Sequence, residues 1–156
     1  MRKPDSRTLA HNRKARFNYS VIDSLECGVE LKGTEVKSLK EGKFSFGDSY
    51  ARIERDELWL VGLHITPYSH GNRFNVDPDR TRRLLAHKQE IRRLRRQVDE
   101  KGLTLVPLKF YTKSGTVKVE LAVCKGKKIF DKRDDIRRRD QKRLAEREFR
   151  QEIHNL

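Results

Sequence analysis

Histidines and carboxylates are the first residues to weigh for chemistry. His64 and His70 bracket a proline-containing segment, and Asp77 and Asp79 follow it. Imidazoles and carboxylates so spaced could hold a metal ion or share a proton as an acid–base pair. Their surroundings favour a plainer role. His64 lies in a strand-like run with its polar tip outward, and His70 sits in a loop beside Gly71. The chain has no H-E-x-x-H, no G-x-S-x-G, no phosphate-cradling glycine loop and no paired-carboxylate motif. Cys27 and Cys124 belong to no C-x-x-C pair, and both fit small apolar packing positions. No catalytic residue, metal or cofactor is expected, and the enzymatic rival is a nuclease using His64 and His70.

Charge points to a different chemistry. The net charge is +14, and its distribution is uneven. Residues 1–16 carry six Lys/Arg against one Asp, and residues 125–156 carry twelve against seven acids. The stretch between, 17–124, carries nineteen against fifteen, so the two ends hold most of the excess. Basic ends around a moderately charged middle suit a polyanion, most often nucleic acid. An anionic membrane surface would favour a long apolar helix face beside the basic one, and none is evident. Nor does any apolar run approach the roughly 20 residues of a membrane span. Tyr19, Tyr68, His70, His87 and Phe130 stand near basic residues, where flat rings can stack on unpaired bases. Phe17 and Trp59 are better placed as core.

These groups need elements to position them. Phe17, Tyr19 and Val21 alternate as in a strand, which Val29 and Leu31 continue past a bend at Gly28. In "GTEVKSLKEGK", Thr34 can cap a short helix near 34–41 and Gly42 can end it. Residues 50–54 and 58–65 read as a hairpin across Arg55, Asp56 and Glu57. Leu84, Ile91, Leu94 and Val98 share a helical face, which predicts a helix near 81–99 capped by Asp79 or Thr81 and ended by Gly102. Nine Lys/Arg against three acids over 80–101 leave that helix in need of an anion. "LTLVPLKFYT" and "TVKVELAVC" predict a second hairpin around "KSG", with Pro107 marking an edge or bulge.

Two architectures accommodate these elements: a small closed β-barrel of the oligonucleotide-binding type, or an open α+β sheet. The long bent first strand favours the barrel. The organisation is then a basic arm over 1–16, the barrel with its helices over 17–124 and a basic tail over 125–156. The tail is rich in helix formers, with a narrow stripe of Ala145, Phe149, Ile153 and Leu156. It is expected to be disordered alone and helical when bound.

Several stretches, met in order, carry a resemblance. They are "NRKARFNY", "GVELKGTEVKSLKEGK", "HITPY", "DPDRTRRLLAHKQEI", "GLTLVPLKFYTKSG", "VKVELAVCKGKK" and "DKR". Together they closely resemble small protein B, the bacterial SsrA-binding protein family, over roughly residues 12–133. The resemblance implies an oligonucleotide-binding barrel with added helices. It also implies a cytoplasmic, non-enzymatic protein that binds the tRNA-like domain of transfer-messenger RNA and delivers it to stalled ribosomes for trans-translation. The tail would sense the empty mRNA channel and the decoding centre in small-subunit rRNA. A monomer without membrane contact is expected. The rival reading is a ribosomal or ribosome-assembly protein that binds rRNA.

Carried over residue by residue, the resemblance places the RNA-binding face around Asn12, Glu26 and Leu85. Asn12 would pair with a base edge. Glu26 repels phosphate, so it would accept from base or ribose donors or orient a neighbouring Lys or Arg. Leu85 follows Leu84 by about 100° of helix rotation, which takes it off the apolar stripe. His87 falls on the stripe and is a secondary candidate. The polar turn–helix–turn adds Lys32, Thr34, Lys37 and Lys43 as a clamp on the same RNA. For the ribosome the candidates are Lys127, Lys128, Phe130, Asp131, Lys132, Arg133, Arg137, Phe149 and Ile153. Among these, "DKR" is the family motif and Phe130 offers a planar ring to a decoding-centre base.

Overall fold

The computed structural model describes residues 6–69, 75–126 and 129–154. The chain divides into two compact units, residues 1–125 and residues 126–156.

The first unit is mainly β. Strand β1 (Ser6–His11) leads into a short helix, α1 (Arg13–Asn18), and only then into β2 (Tyr19–Val29). Phe17 is therefore helical, not part of an alternating strand. Asn12 causes the difference, because its Oδ1 accepts from the Ala15 amide at 3.2 Å and caps α1.

Helix α2 (Gly33–Lys40) follows. Thr34 lies inside it rather than at its cap. The Lys32 amide is instead satisfied by Glu35 Oε1 at 2.9 Å, half of a capping box. Its end is a full Schellman motif: Lys43 N donates to Ser38 O at 2.9 Å and Gly42 N to Leu39 O at 3.0 Å, with Gly42 at φ +74°.

Beyond α2 lie β3 (Phe44–Ser45), β4 (Tyr50–Glu54), β5 (Glu57–Val61) and β6 (His64–Ile65). Arg55 and Asp56 both have positive φ, as a two-residue hairpin turn requires. The run expected as one strand to residue 65 breaks at Gly62, φ +84°, and β6 leaves to pair with β3 in a separate sheet.

Strand β7 (Arg82–Leu85) and helix α3 (Lys88–Lys101) replace the single helix expected near 81–99. Leu84 thus belongs to a strand, and the cap is His87 rather than Asp79 or Thr81. Arg82 and Leu84 point inward while Arg83 and Leu85 are exposed, the period of a half-buried strand. Gly102, φ +62°, ends α3 as expected.

Strands β8 (Thr104–Lys113) and β9 (Thr116–Gly126) form the second hairpin, turning through Ser114 and Gly115, both at positive φ. Their register shifts between Pro107 and Lys109, the bulge that proline marks.

Seven strands form one sheet in the order β1-β8-β4-β5-β7-β2-β9, and β8 also pairs with β9. Along one edge β8 carries β9. Along the other it carries β4 at Leu105 and β1 from Lys109 to Lys113. The main core holds Leu58, Leu60, Leu84, Leu105, Phe110, Val119 and Leu121. Rings of Phe44, Phe46 and Phe110 meet there with centroids 5.4–5.5 Å apart. A second cluster of Ala15, Val106, Leu108, Ala122 and Cys124 lies under α1, which is why β8 reads as a nearly continuous apolar run. Trp59 and Phe17, expected as core, are half-buried and belong to neither cluster. Cys27 and Cys124 are free and buried, and burial pushes their thiols up to about 12 and about 11.

The second unit contains α4 (Ile129–His154). All its described side chains, residues 136–150, are exposed.

Candidate nucleic-acid interface

Glu26 stands on the outward face of β2, between the inward residues Leu25 and Cys27. Its Oε2 accepts the Tyr111 hydroxyl in a short hydrogen bond, and its Oε1 lies 3.5 Å from the Lys113 ammonium. The Tyr111 bond outweighs a small burial cost and, with Lys113 and Lys118 adding, holds the Glu26 carboxyl below the usual range. Burial and the same bond push the Tyr111 phenol up. Lys109 places its Nζ 5.3 Å from the Tyr111 ring centroid and 3.6 Å from Glu120. These residues line an open groove of about 400 Å³.

Leu85 is 47% exposed, on a strand and not on a helix. It pairs across the sheet with Gly28, two residues from Glu26 on the same face of β2. A Cβ at position 28 would come 3.2 Å from the Leu85 Cβ. Glycine there leaves the leucine room to stand beside Glu26. His87 lies two residues on, at the N-cap of α3 and 90% exposed at its side chain. It is not packed on the apolar stripe, because that stripe begins only with α3.

Asn12 is 4% exposed. Its Nδ2 donates to Pro107 O at 2.9 Å while Oδ1 caps α1, so both ends of the amide serve the fold. Its backbone N–H donates to Leu108 O at 2.7 Å. It lines a cavity of about 270 Å³ with Lys14, Tyr19, Ser49 and Tyr50. Pro107, which holds Asn12, and Tyr111 are four residues apart on β8, roughly 13 Å along the strand, and Asn12 does not line the Glu26 groove.

Lys32, Thr34 and Lys37 lie at or on α2, and Lys43 follows it. The Lys37 ammonium sits 5.3 Å from the Tyr68 ring centroid, and Lys43 pairs with Glu41 at 3.4 Å. Beneath them, Glu35 receives Arg80 Nη2 at 2.5 Å and Arg82 Nε at 2.7 Å. Arg82 also donates to the carbonyls of Leu63 and Pro78. This network ties α2 and β7 to the backbone at Leu63 and Pro78 and fixes where the lysines stand. His64 Nδ1 meets Asp79 Oδ1 at 2.8 Å on the surface, whereas His70 lies outside the described residues.

In α4, Arg137 is exposed, as is Phe149 at 64%. Lys127 and Lys128 lie outside the described residues. So do the side chains of Phe130, Asp131, Lys132, Arg133 and Ile153, whose backbone belongs to α4.

The structure therefore brings together Glu26 and Leu85, with His87 close by in the chain, and holds the α2 lysines in a second group. It adds Tyr111 and Lys113, which sequence reasoning missed. A signal was present: Lys109, Tyr111 and Lys113 alternate along one strand face, a basic run with an aromatic set in it.

Comparison with known proteins points to one family. The family model described as "SmpB protein" matches residues 9–151. An "SsrA-binding protein" of Treponema denticola is 55% identical over 150 residues, covering 96% of this chain and 97% of that one. An "SsrA-binding protein" of Desulforudis audaxviator is 53% identical over 149 residues, covering 96% and 95%. Among solved structures, a chain of "tmRNA-SmpB: a journey to the center of the bacterial ribosome" superposes with a TM-score of 0.66 at 51% identity. It covers 79% of this chain and 87% of that chain.

Proposed function

The chain belongs to the SmpB protein family, and from that membership we propose that it binds transfer-messenger RNA and takes it to stalled bacterial ribosomes for trans-translation. The observation that carries this is identity above 50% over nearly the whole chain to SsrA-binding proteins. The protein performs this as a binding module in the cytoplasm, with no chemical step of its own.

The first unit is the RNA-binding part. Its pairings run β8-β4-β5-β7-β2-β9 and return to β8, which supports a closed barrel of the oligonucleotide-binding type. The tRNA-like domain meets the face that carries Glu26, Leu85 and His87, and Lys32, Thr34, Lys37 and Lys43 supply phosphate contacts. Asn12 acts by holding α1 against β8, since its amide is spent on Pro107 and Ala15.

The second unit is the ribosome-sensing part. A basic helix suits a channel walled by rRNA phosphates once mRNA is absent. Lys127, Lys128 and the Asp131–Arg133 motif stand at its start, and Phe130 offers a ring to a decoding-centre base. Arg137 meets phosphate further along, and Phe149 and Ile153 pack within the channel.

The test is a binding assay against transfer-messenger RNA, paired with a peptide-tagging assay on stalled ribosomes. The full chain and a chain ending at Lys128 are compared. Both bind the RNA, and only the full chain supports tagging. Loss of RNA binding on truncation would overturn the division of labour. Failure of the full chain to prefer transfer-messenger RNA over rRNA would overturn the function.

A further inference from the structure

Glu26 is an unexpected group to set against RNA, because its charge opposes phosphate. The structure occupies both its oxygens with neighbours on β8, the Tyr111 hydroxyl and the Lys113 ammonium. Tyr111 is half-buried and belongs to neither apolar cluster, so its ring is not core packing. Lys109 and Lys113 flank it at two residues on either side, on the same strand face. The exposed Leu85 stands beside Glu26 from the other side, in the room that Gly28 leaves. A planar ring and two ammonium groups lining an open groove, with the exposed Leu85 beyond it over Gly28, are the parts that hold an unpaired nucleotide.

We propose that Tyr111 is an RNA-contacting group of this face, its ring the platform for an unpaired base, and that Glu26 is a positioning residue acting through it. This rests on the transfer-messenger RNA reading above. Bound to Glu26, the Tyr111 hydroxyl fixes the tilt of the ring before RNA arrives. Lys109 covers the ring in the free protein, and a stacking base takes that place and leaves the ammonium for phosphate. Glu26 stays ionised at neutral pH, so the tether persists under binding conditions.

The experiment measures affinity of the full-length protein for transfer-messenger RNA at one fixed salt concentration. Tyr111→Ala and Glu26→Ala each weaken binding about tenfold or more, the scale of a lost base stack. The double variant binds within about twofold of the weaker single variant, because both changes remove the same platform. Tyr111→Phe keeps the ring but not the tether and falls between wild type and Tyr111→Ala. Thermal unfolding midpoints near wild type for these variants separate a binding loss from a folding loss. Wild-type affinity in Tyr111→Ala, or additive losses in the double variant, overturns this inference while leaving the function intact. Wild-type protein that fails to bind the RNA overturns the functional reading and this inference with it.

Discussion

Arg82 and Glu35 form an ion pair inside the protein, with Nε 2.7 Å from Oε2 and side chains 0% and 4% exposed. Among the described residues, the other side-chain hydrogen bonds of Arg82 run to the backbone carbonyls of Leu63 and Pro78. A charge so placed is stable only while its partners remain. Glu35→Ala should cost about 3–5 kcal/mol, read by urea unfolding, because it strands the buried Arg82 charge, whereas Arg82→Ala leaves Glu35 paired with Arg80 and should cost less. The pH dependence has a defined sign. Burial raises the Glu35 carboxyl, but hydrogen bonds from Arg80, the Lys32 amide and Arg82 outweigh it, so its folded pKa is lowered. Its contribution is thus present above the unfolded value near 4.5 and is lost as pH falls through the folded one. Glu35→Gln should be less stable at neutral pH yet lose less on acidification.

The same pair explains what was legible in the sequence and what was not. Both long hairpins, α2 and the end of α3 at Gly102 could be read, because local turn chemistry and period determine them. Strand β7 could not. Its inward residues are Arg82 and Leu84, and an arginine reads as outward until its buried carboxylate partner, 47 positions away, is known. The leucines were then free to match the helical spacing of Ile91, Leu94 and Val98. Helix α1 is hidden for a local reason: in the sequence Asn12 reads as a base-pairing group and not as a cap. Leu85 was singled out as exposed, and it is, although a strand rather than a helix exposes it. Glu26 was expected to accept from RNA or to orient a basic neighbour. Lys113 is such a neighbour, while the bond to Tyr111 needs β9 to set β2 and β8 on its two sides, which only the fold supplies.

Gly28 ties packing to binding. A methyl group at this position meets Leu85 at 3.2 Å, so the leucine has to move by a few tenths of an ångström. Gly28→Ala should destabilise by about 1 kcal/mol, because the closest atom is the Leu85 Cβ, which moves only with β7. RNA affinity should fall severalfold, in the same direction as Leu85→Ala. Thermal unfolding and a binding titration on one preparation check both halves.

Lys37 sits over the Tyr68 ring, where cation–π attraction and the last turn of α2 hold it at the surface. As a phosphate contact it contributes mainly through counterion release. Lys37→Glu should weaken binding to transfer-messenger RNA and reduce the slope of log affinity against log salt by about 1 or somewhat more. An unchanged slope with unchanged affinity removes α2 from the interface. Lys37→Arg should bind close to wild type.

Over residues 136–150 helix α4 has no buried side chain, so that stretch draws no support from a packed apolar face and leans on propensity and charged side chains. Lys142, Glu146 and Arg150 form one i, i+4 row of alternating sign, each pair adding only about 0.2–0.5 kcal/mol. A helix held by such terms alone is marginal, and its amides open without global unfolding. In hydrogen exchange on the free protein, amides of residues 136–150 should exchange orders of magnitude faster than those of β8 and β9. On stalled ribosomes they should become protected, because the channel then supplies the packing that the free chain lacks. Phe130→Ala should keep transfer-messenger RNA affinity and impair tagging, as its ring serves the ribosome. Strong protection of α4 in the free protein would remove the idea that the empty channel induces the helix, while loss of RNA affinity in Phe130→Ala would move that ring to the first unit's site.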